Sequence, residues 1–182
     1  MHTDEAVHAA KFGPLLEHHR YQYDPFEYHG PTLNYFTLIP AWLRGQQNLL
    51  QVDEATLRIV PAVFGVLLLL TFLAFGKEFN RTALVIALLL TAVSPAMVFY
   101  SRYYIQEMLL VCFSSAALAG GWRFATSGRA SWAVFTGAAV GLMHATKETS
   151  LIALFALFVA LAVTVLLYRP QFAPLYSRTG MK

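Results

Sequence analysis

Polar and apolar positions divide this chain into two unequal parts. Residues 1–31 are mostly polar, and from 59 onward apolar runs of near-bilayer length alternate with short polar breaks. The run 59–75 leaves no polar face for water, so it reads as a membrane helix rather than an amphipathic core helix. Five spans are expected, at about 59–76, 82–100, 108–124, 131–145 and 150–168. Pro95 lies inside the second, and Gly137, Ala138, Ala139 and Gly141 suit the fourth to close helix contact.

Residues 32–43 are apolar but rise only about 18 Å, too short for a hydrocarbon core of about 30 Å. They read as a juxtamembrane helix anchored by Tyr35, Phe36 and Trp42. Before it, Thr3 or Asp4 is placed to cap a short helix over 6–11, and 21–31 reads as irregular loop, with Pro31 opening the next helix. After it, 44–58 is a polar connection. Arg58 there is an interfacial anchor, and Pro61 falls in the first turn of the first span. The expected fold is all-α: a polytopic helical membrane protein with an outer loop carrying short juxtamembrane helices (1–58), a five-helix transmembrane region (59–168) and a cytoplasmic tail (169–182). Both ends read as cut, so the chain is expected to be an N-terminal part of a longer membrane protein.

Composition supports the membrane class. Of 182 residues, 57% are hydrophobic and 13% charged, against about 25% charged in a soluble domain. A net charge of +3 is too small for a nucleic-acid footprint and reads as loop charge that sets topology. The breaks after spans one, three and five carry Lys77, Arg81, Arg123, Arg129, Arg169, Arg178 and Lys182; those after two and four carry only Arg102 and Lys147. The first group is therefore expected inside, and the acid-rich start, 100–107 and 144–148 outside, at the cell membrane. The glycosylation match Asn80-Arg81-Thr82 then lies inside and stays bare. The single Cys112, in an apolar run, allows no disulfide within the chain.

Candidate chemistry concentrates on that outer face. Residues 1–31 hold five of the ten acids and five of the six histidines. Adjacent carboxylates at Asp4 and Glu5 suit a general base or a metal ligand; the plain alternative is an acidic helix start. Tyr28-His29-Gly30-Pro31 could bind a phosphate or orient an acceptor, or be only a turn with an interfacial tyrosine. His18-His19 lacks a third ligand at zinc spacing. Arg102 beside Tyr103 and Tyr104 suits a lipid-linked phosphate, and Glu107 could complete an acidic pair with Asp4. The alternative is an Arg102–Glu107 ion pair capping two helices. Lys147 and Glu148 interrupt an apolar stretch and are costly unless they reach the interface or a partner. Lys147 could neutralise a phosphate leaving group, or belong to a polar turn.

Taken in order, Asp4-Glu5-Ala6-Val7-His8-Ala9, Tyr23-Asp24-Pro25, Tyr28-His29-Gly30-Pro31, Arg58-Ile59-Val60-Pro61-Ala62-Val63-Phe64-Gly65, Ser94-Pro95, Tyr100-Ser101-Arg102 and Lys147 resemble the GT-C superfamily of membrane glycosyltransferases. The likeness is to its protein mannosyltransferase-like branch, and within that to the prokaryotic flippase-activity-associated proteins. The resemblance implies transfer of a sugar from a polyprenyl-phosphate carrier to a glycan or protein acceptor at the outer membrane face. It implies Asp4, with Glu5 beside it, as the catalytic acid and Glu107 as a second acid. Lys147 and Arg102 then face the carrier phosphate, alongside His29 and Tyr28. Some relatives use a divalent metal and others none; the cofactor stays open, with Asp4 the position that would hold an ion. The chain departs from the family pattern in starting three residues before Asp4, with no helix ahead of it. Two other readings stay open: a non-catalytic accessory of lipid-linked oligosaccharide translocation, and a structural membrane subunit.

Overall fold

The computed structural model describes residues 2–22, 26, 29–76 and 78–178, with side chains as far as 167. Eight α-helices account for most of these: α1 (Thr3–His18), α2 (Thr32–Leu43), α3 (Glu54–Thr71), α4 (Arg81–Val93), α5 (Pro95–Tyr100), α6 (Glu107–Ser127), α7 (Ala130–Thr146) and α8 (Ser150–Arg178). The all-α expectation holds.

Local sequence sets the helix ends. Asp53 accepts from the Thr56 N–H at 2.7 Å and so opens α3 at Glu54, five residues earlier than hydropathy suggests. Pro61 therefore lies inside α3 rather than in its first turn. Asn80 caps α4 through the Ala83 N–H at 2.7 Å. Pro95 forces Ser94 out of the helical conformation, to φ −58° and ψ 125°, and splits the expected second span into α4 and α5. Gly128, at φ 66°, closes α6 in the left-handed region with its N–H on the Phe124 carbonyl at 2.8 Å.

Among the described residues three helical segments are long and apolar enough to cross a membrane: Glu54–Phe75, Glu107–Ser127 and Ser150–Leu167. α4 is apolar but shorter, and α7, with 17 residues, is diluted by Gly, Thr and His. Length separates α4 from the other three, and its Gly, Thr and His positions set α7 apart as well. The protein is an integral membrane protein. Its large exposed apolar side chains, concentrated on α3, α4 and α8, form the surface that meets lipid.

α6 is the central helix, packed between α3 and α7. Its Phe113 meets Phe64 of α3 edge-on at 5.2 Å, and Phe36 of α2 packs on Phe64 at 5.0 Å. α1 lies against α2 through Phe12, Leu15, Leu16 and Leu33, all buried. The short helix expected over 6–11 is thus a 16-residue helix docked on the bundle, carried to His18 across Pro14. Its buried stripe runs Glu5, His8, Ala9, Phe12, Leu15 and Leu16, at the 3–4 spacing of one helix face.

Candidate active site

The two adjacent acids meet opposite environments. Asp4 is exposed, its side chain 67% accessible, while that of Glu5 is 1% accessible. Residues i and i+1 on a helix point about 100° apart, so the buried stripe takes one and leaves the other outside. Glu5 accepts from Arg58 Nε at 3.0 Å on Oε1 and from Nη2 at 2.9 Å on Oε2. It also accepts the Tyr104 N–H at 3.0 Å and the His2 N–H at 3.1 Å. Burial alone would raise the Glu5 pKa. The Arg58 bond and the two backbone N–H groups outweigh it and bring it to about 2. Arg58 also pairs with Glu54 at 2.9 Å. It was expected as an interfacial anchor; the structure gives it a partner 53 residues away.

That hub ties α1, α3 and the segment before α6 together, and it carries Asp4 to the surface beside Tyr103. Asp4 Oδ2 lies 3.9 Å from His2 Nδ1, and His2 Nδ1 also meets the Tyr103 hydroxyl. Burial, then the negative charge of Asp4 and Glu5, pushes the Tyr103 phenol up. Tyr104, fully buried, shares a 2.9 Å hydrogen bond with Thr37 of α2.

A second junction joins the start of α2 to the end of α7. The Gly30 N–H donates to the Thr146 carbonyl at 2.9 Å, His29 and Lys147 form an antiparallel bridge, and Thr32 donates to the Thr146 hydroxyl at 2.9 Å. A Cβ at residue 30 would lie 1.9 Å from the Ala145 carbonyl oxygen, so only glycine fits this approach. Lys147 Nζ reaches Glu107 Oε1 at 2.7 Å. The His8 and His29 rings stand edge to face at 5.2 Å, each with a buried Nδ1 that has no hydrogen-bond partner among the described residues. Burial and then His29 lower the His8 pKa to about 4; burial and then Lys147 lower that of His29. Both rings are neutral at physiological pH. The negative charges of Asp4 and Glu107 favour the protonated form of His8 and add to the upward shift of Tyr103.

The structure therefore gathers Asp4, Glu5, His29, Glu107 and Lys147 at one end of the bundle. Glu107 pairs with Lys147 rather than with Arg102. Arg102 is exposed at the same end, without a side-chain hydrogen bond or ion pair among the described residues. Tyr28 lies outside the described residues, as do Tyr23, Asp24, Pro25 and Glu27. Among the described residues no three His, Cys, Asp or Glu side chains come close enough to hold a metal ion. Among the described residues Asp4 has His2 and the Tyr103 hydroxyl beside it and no second carboxylate joining it at metal spacing, so this side-chain set does not fit a resident cation. The arrangement missed by sequence reasoning is the framework: Arg58 on Glu5, Tyr103 on His2, and His8 against His29. His8 stands four residues after Asp4 and three after Glu5, a spacing that marks it once 3–18 is read as a helix.

Given that geometry, comparison with known proteins adds one finding. The family model described as dolichyl-phosphate-mannose-protein mannosyltransferase matches residues 35–174. No curated protein and no solved structure matches the chain.

Proposed function

The chain belongs to the dolichyl-phosphate-mannose-protein mannosyltransferase family of membrane glycosyltransferases, and on that premise we propose that it moves a sugar from a polyprenyl-phosphate carrier to an acceptor hydroxyl at the outer face of the cell membrane. Asp4 is the general base: its carboxylate takes the hydroxyl proton as the acceptor oxygen bonds to the anomeric carbon. The bond from that carbon to the phosphate oxygen breaks, and its electron pair leaves with the polyprenyl phosphate. Lys147 and Arg102 meet the phosphate charge. His29, held against Lys147 by the backbone bridge, and Tyr28 line the donor side. Glu107 holds Lys147 in place, and Glu5, both oxygens committed, positions Asp4 rather than reacting. The acceptor is a glycan or protein, and the lipid tail runs among the helices.

The observation that carries this reading is the contrast between the neighbouring acids: Glu5 neutralised in a buried ion pair, Asp4 unburied beside Tyr103. A multi-pass topology with this end outside is supported by the cation-poor breaks at 101–106 and 147–149.

The test is transfer from a polyprenyl-phosphate sugar by the full-length protein in vesicles. Asp4→Asn should lower the rate by about a hundredfold or more, while near-normal transfer would remove Asp4 from the mechanism. A protein that only escorts lipid-linked glycans would keep its function in Asp4→Asn and lose it in Lys147→Gln. Sidedness is read separately in a Cys112→Ala background: an impermeant thiol reagent on intact cells should label Thr3→Cys and spare Arg129→Cys.

A further inference from the structure

A groove of about 680 Å³ runs between α3, α6 and α7, away from the acids and histidines. Its walls include Leu67, Leu70, Phe135 and Ala138, all exposed, so it opens sideways toward lipid. Among the described residues its one charged lining residue is Arg123, near the C-terminal end of α6. Arg123 has no carboxylate partner among the described residues. Its guanidinium sits over the Trp132 ring at 5.6 Å, at the groove's end.

From this we infer that the groove holds one anionic phospholipid of the surrounding membrane, its phosphate on Arg123 and one acyl chain along the apolar wall. Three observations carry it. The volume falls within the range of small-molecule sites, about 300–1,000 Å³. An apolar trough ending in one cation and one indole matches a lipid in charge and in polarity along its length. The end is also the wrong one for the sugar carrier: Arg123 lies sixteen residues after Glu107 on α6, about 24 Å along the axis, close to the thickness of a hydrocarbon core. A carrier phosphate at Lys147 and a lipid phosphate at Arg123 thus occupy opposite interfaces, so this site stands whether or not Asp4 is the base.

The full-length protein, stripped of lipid and reconstituted with equal phosphatidylglycerol and phosphatidylcholine, would be analysed by native mass spectrometry for retained lipid. The wild type should retain one phosphatidylglycerol with about fivefold preference. Arg123→Gln should remove the preference while lipid is still retained. Ala138→Trp, which fills the groove from an exposed position, should remove retention. Equal retention of both lipids by the wild type, or unchanged retention by Ala138→Trp, overturns the proposal. So does a full-length protein in which Ala138→Cys is shielded from a lipid-phase thiol reagent even after lipid is stripped, because another protein segment then fills the groove.

Discussion

Arg58 Nη2 stands 2.9 Å from Glu5 Oε2 and Nε stands 3.0 Å from Oε1, so one guanidinium of the first long helix holds both oxygens of a carboxylate from α1. Breaking such a pair from one side costs more than removing it, because a buried charge is left without compensation. Arg58→Met should destabilise the protein by about 3 kcal/mol, the low end of the range because the Arg58 side chain is 38% exposed and water screens it. Glu5→Gln with Arg58→Met should recover part of that loss. Thermal survival of the monodisperse species in detergent measures both, and a double variant no better than Arg58→Met would show that the pair is not coupled.

The same residues set a pH response. The Glu5 pKa is about 2 against an ordinary 4.5. A depressed carboxylate pKa gives stability that is complete above the unfolded value and lost as pH falls through the folded one. The loss falls between about pH 4.5 and 2 and amounts to about 2 kcal/mol once screening at Arg58 is allowed for. His8 acts in a higher window. Its pKa is about 4 against 6.5, so below 6.5 the unfolded chain binds the proton that the folded chain refuses. Stability therefore declines from pH 6.5 toward 4. The groups facing His8 are His29, Lys11, Glu107 and Asp4; the first two oppose its charge and the acids favour it. His8→Gln should make the fall in melting temperature between pH 6.5 and 5 shallower, leaving the share that His29, also lowered by burial, contributes, and should keep the lower window intact. A wild-type profile already flat above pH 5 would count against a buried neutral His8.

Gly30 admits a sharper test. Its N–H bonds to Thr146, and an added Cβ would meet the Ala145 carbonyl oxygen, a backbone atom that cannot swing aside. Gly30→Ala should separate His29 from Lys147 and lower transfer by at least about tenfold, since positional errors of about 1 Å cost up to a hundredfold. Thr32→Val keeps the backbone bridge and removes only a hydroxyl pair, at about 1 kcal/mol, so its rate should stay within a few-fold of wild type. Equal rates for Gly30→Ala and wild type would mean that the bridge does not set the site.

Much of this was legible in the chain. The apolar runs announce membrane helices, and the four polar breaks that the structure brings to one end are those where acids, His29 and Lys147 interrupt the pattern. The second and fourth spans were less clear, because a count of apolar residues misses the break that Pro95 imposes and passes over the Gly, Thr and His that dilute α7. The difference between Asp4 and Glu5 was hidden for another reason. It depends on helix phase, and only a short helix over 6–11 was expected there, because the charges and Pro14 mask a stripe from Glu5 through Ala9 and Phe12 to Leu16. Arg58 on Glu5 joins residues 53 apart, and no local pattern announces such a pair.

The two cations assigned to the carrier phosphate differ in how they are held, and the difference should appear in kinetics. Lys147 is fixed: its Nζ lies 2.7 Å from Glu107 and its backbone is bridged to His29. Arg102 is exposed, with nothing among the described residues to hold its guanidinium. A preorganised cation meets developing charge without reorganising, whereas a mobile one adds mainly to attraction before reaction. Lys147→Gln should therefore lower kcat by about a hundredfold. Arg102→Gln should raise KM a few-fold, with kcat near wild type and the effect fading at high salt. Glu107→Gln should resemble a milder Lys147 variant, because Lys147 keeps its charge and loses its anchor. Steady-state transfer at two ionic strengths separates these outcomes. A larger kcat loss in Arg102→Gln than in Lys147→Gln would reverse the assignment and make Arg102 the residue on the leaving phosphate.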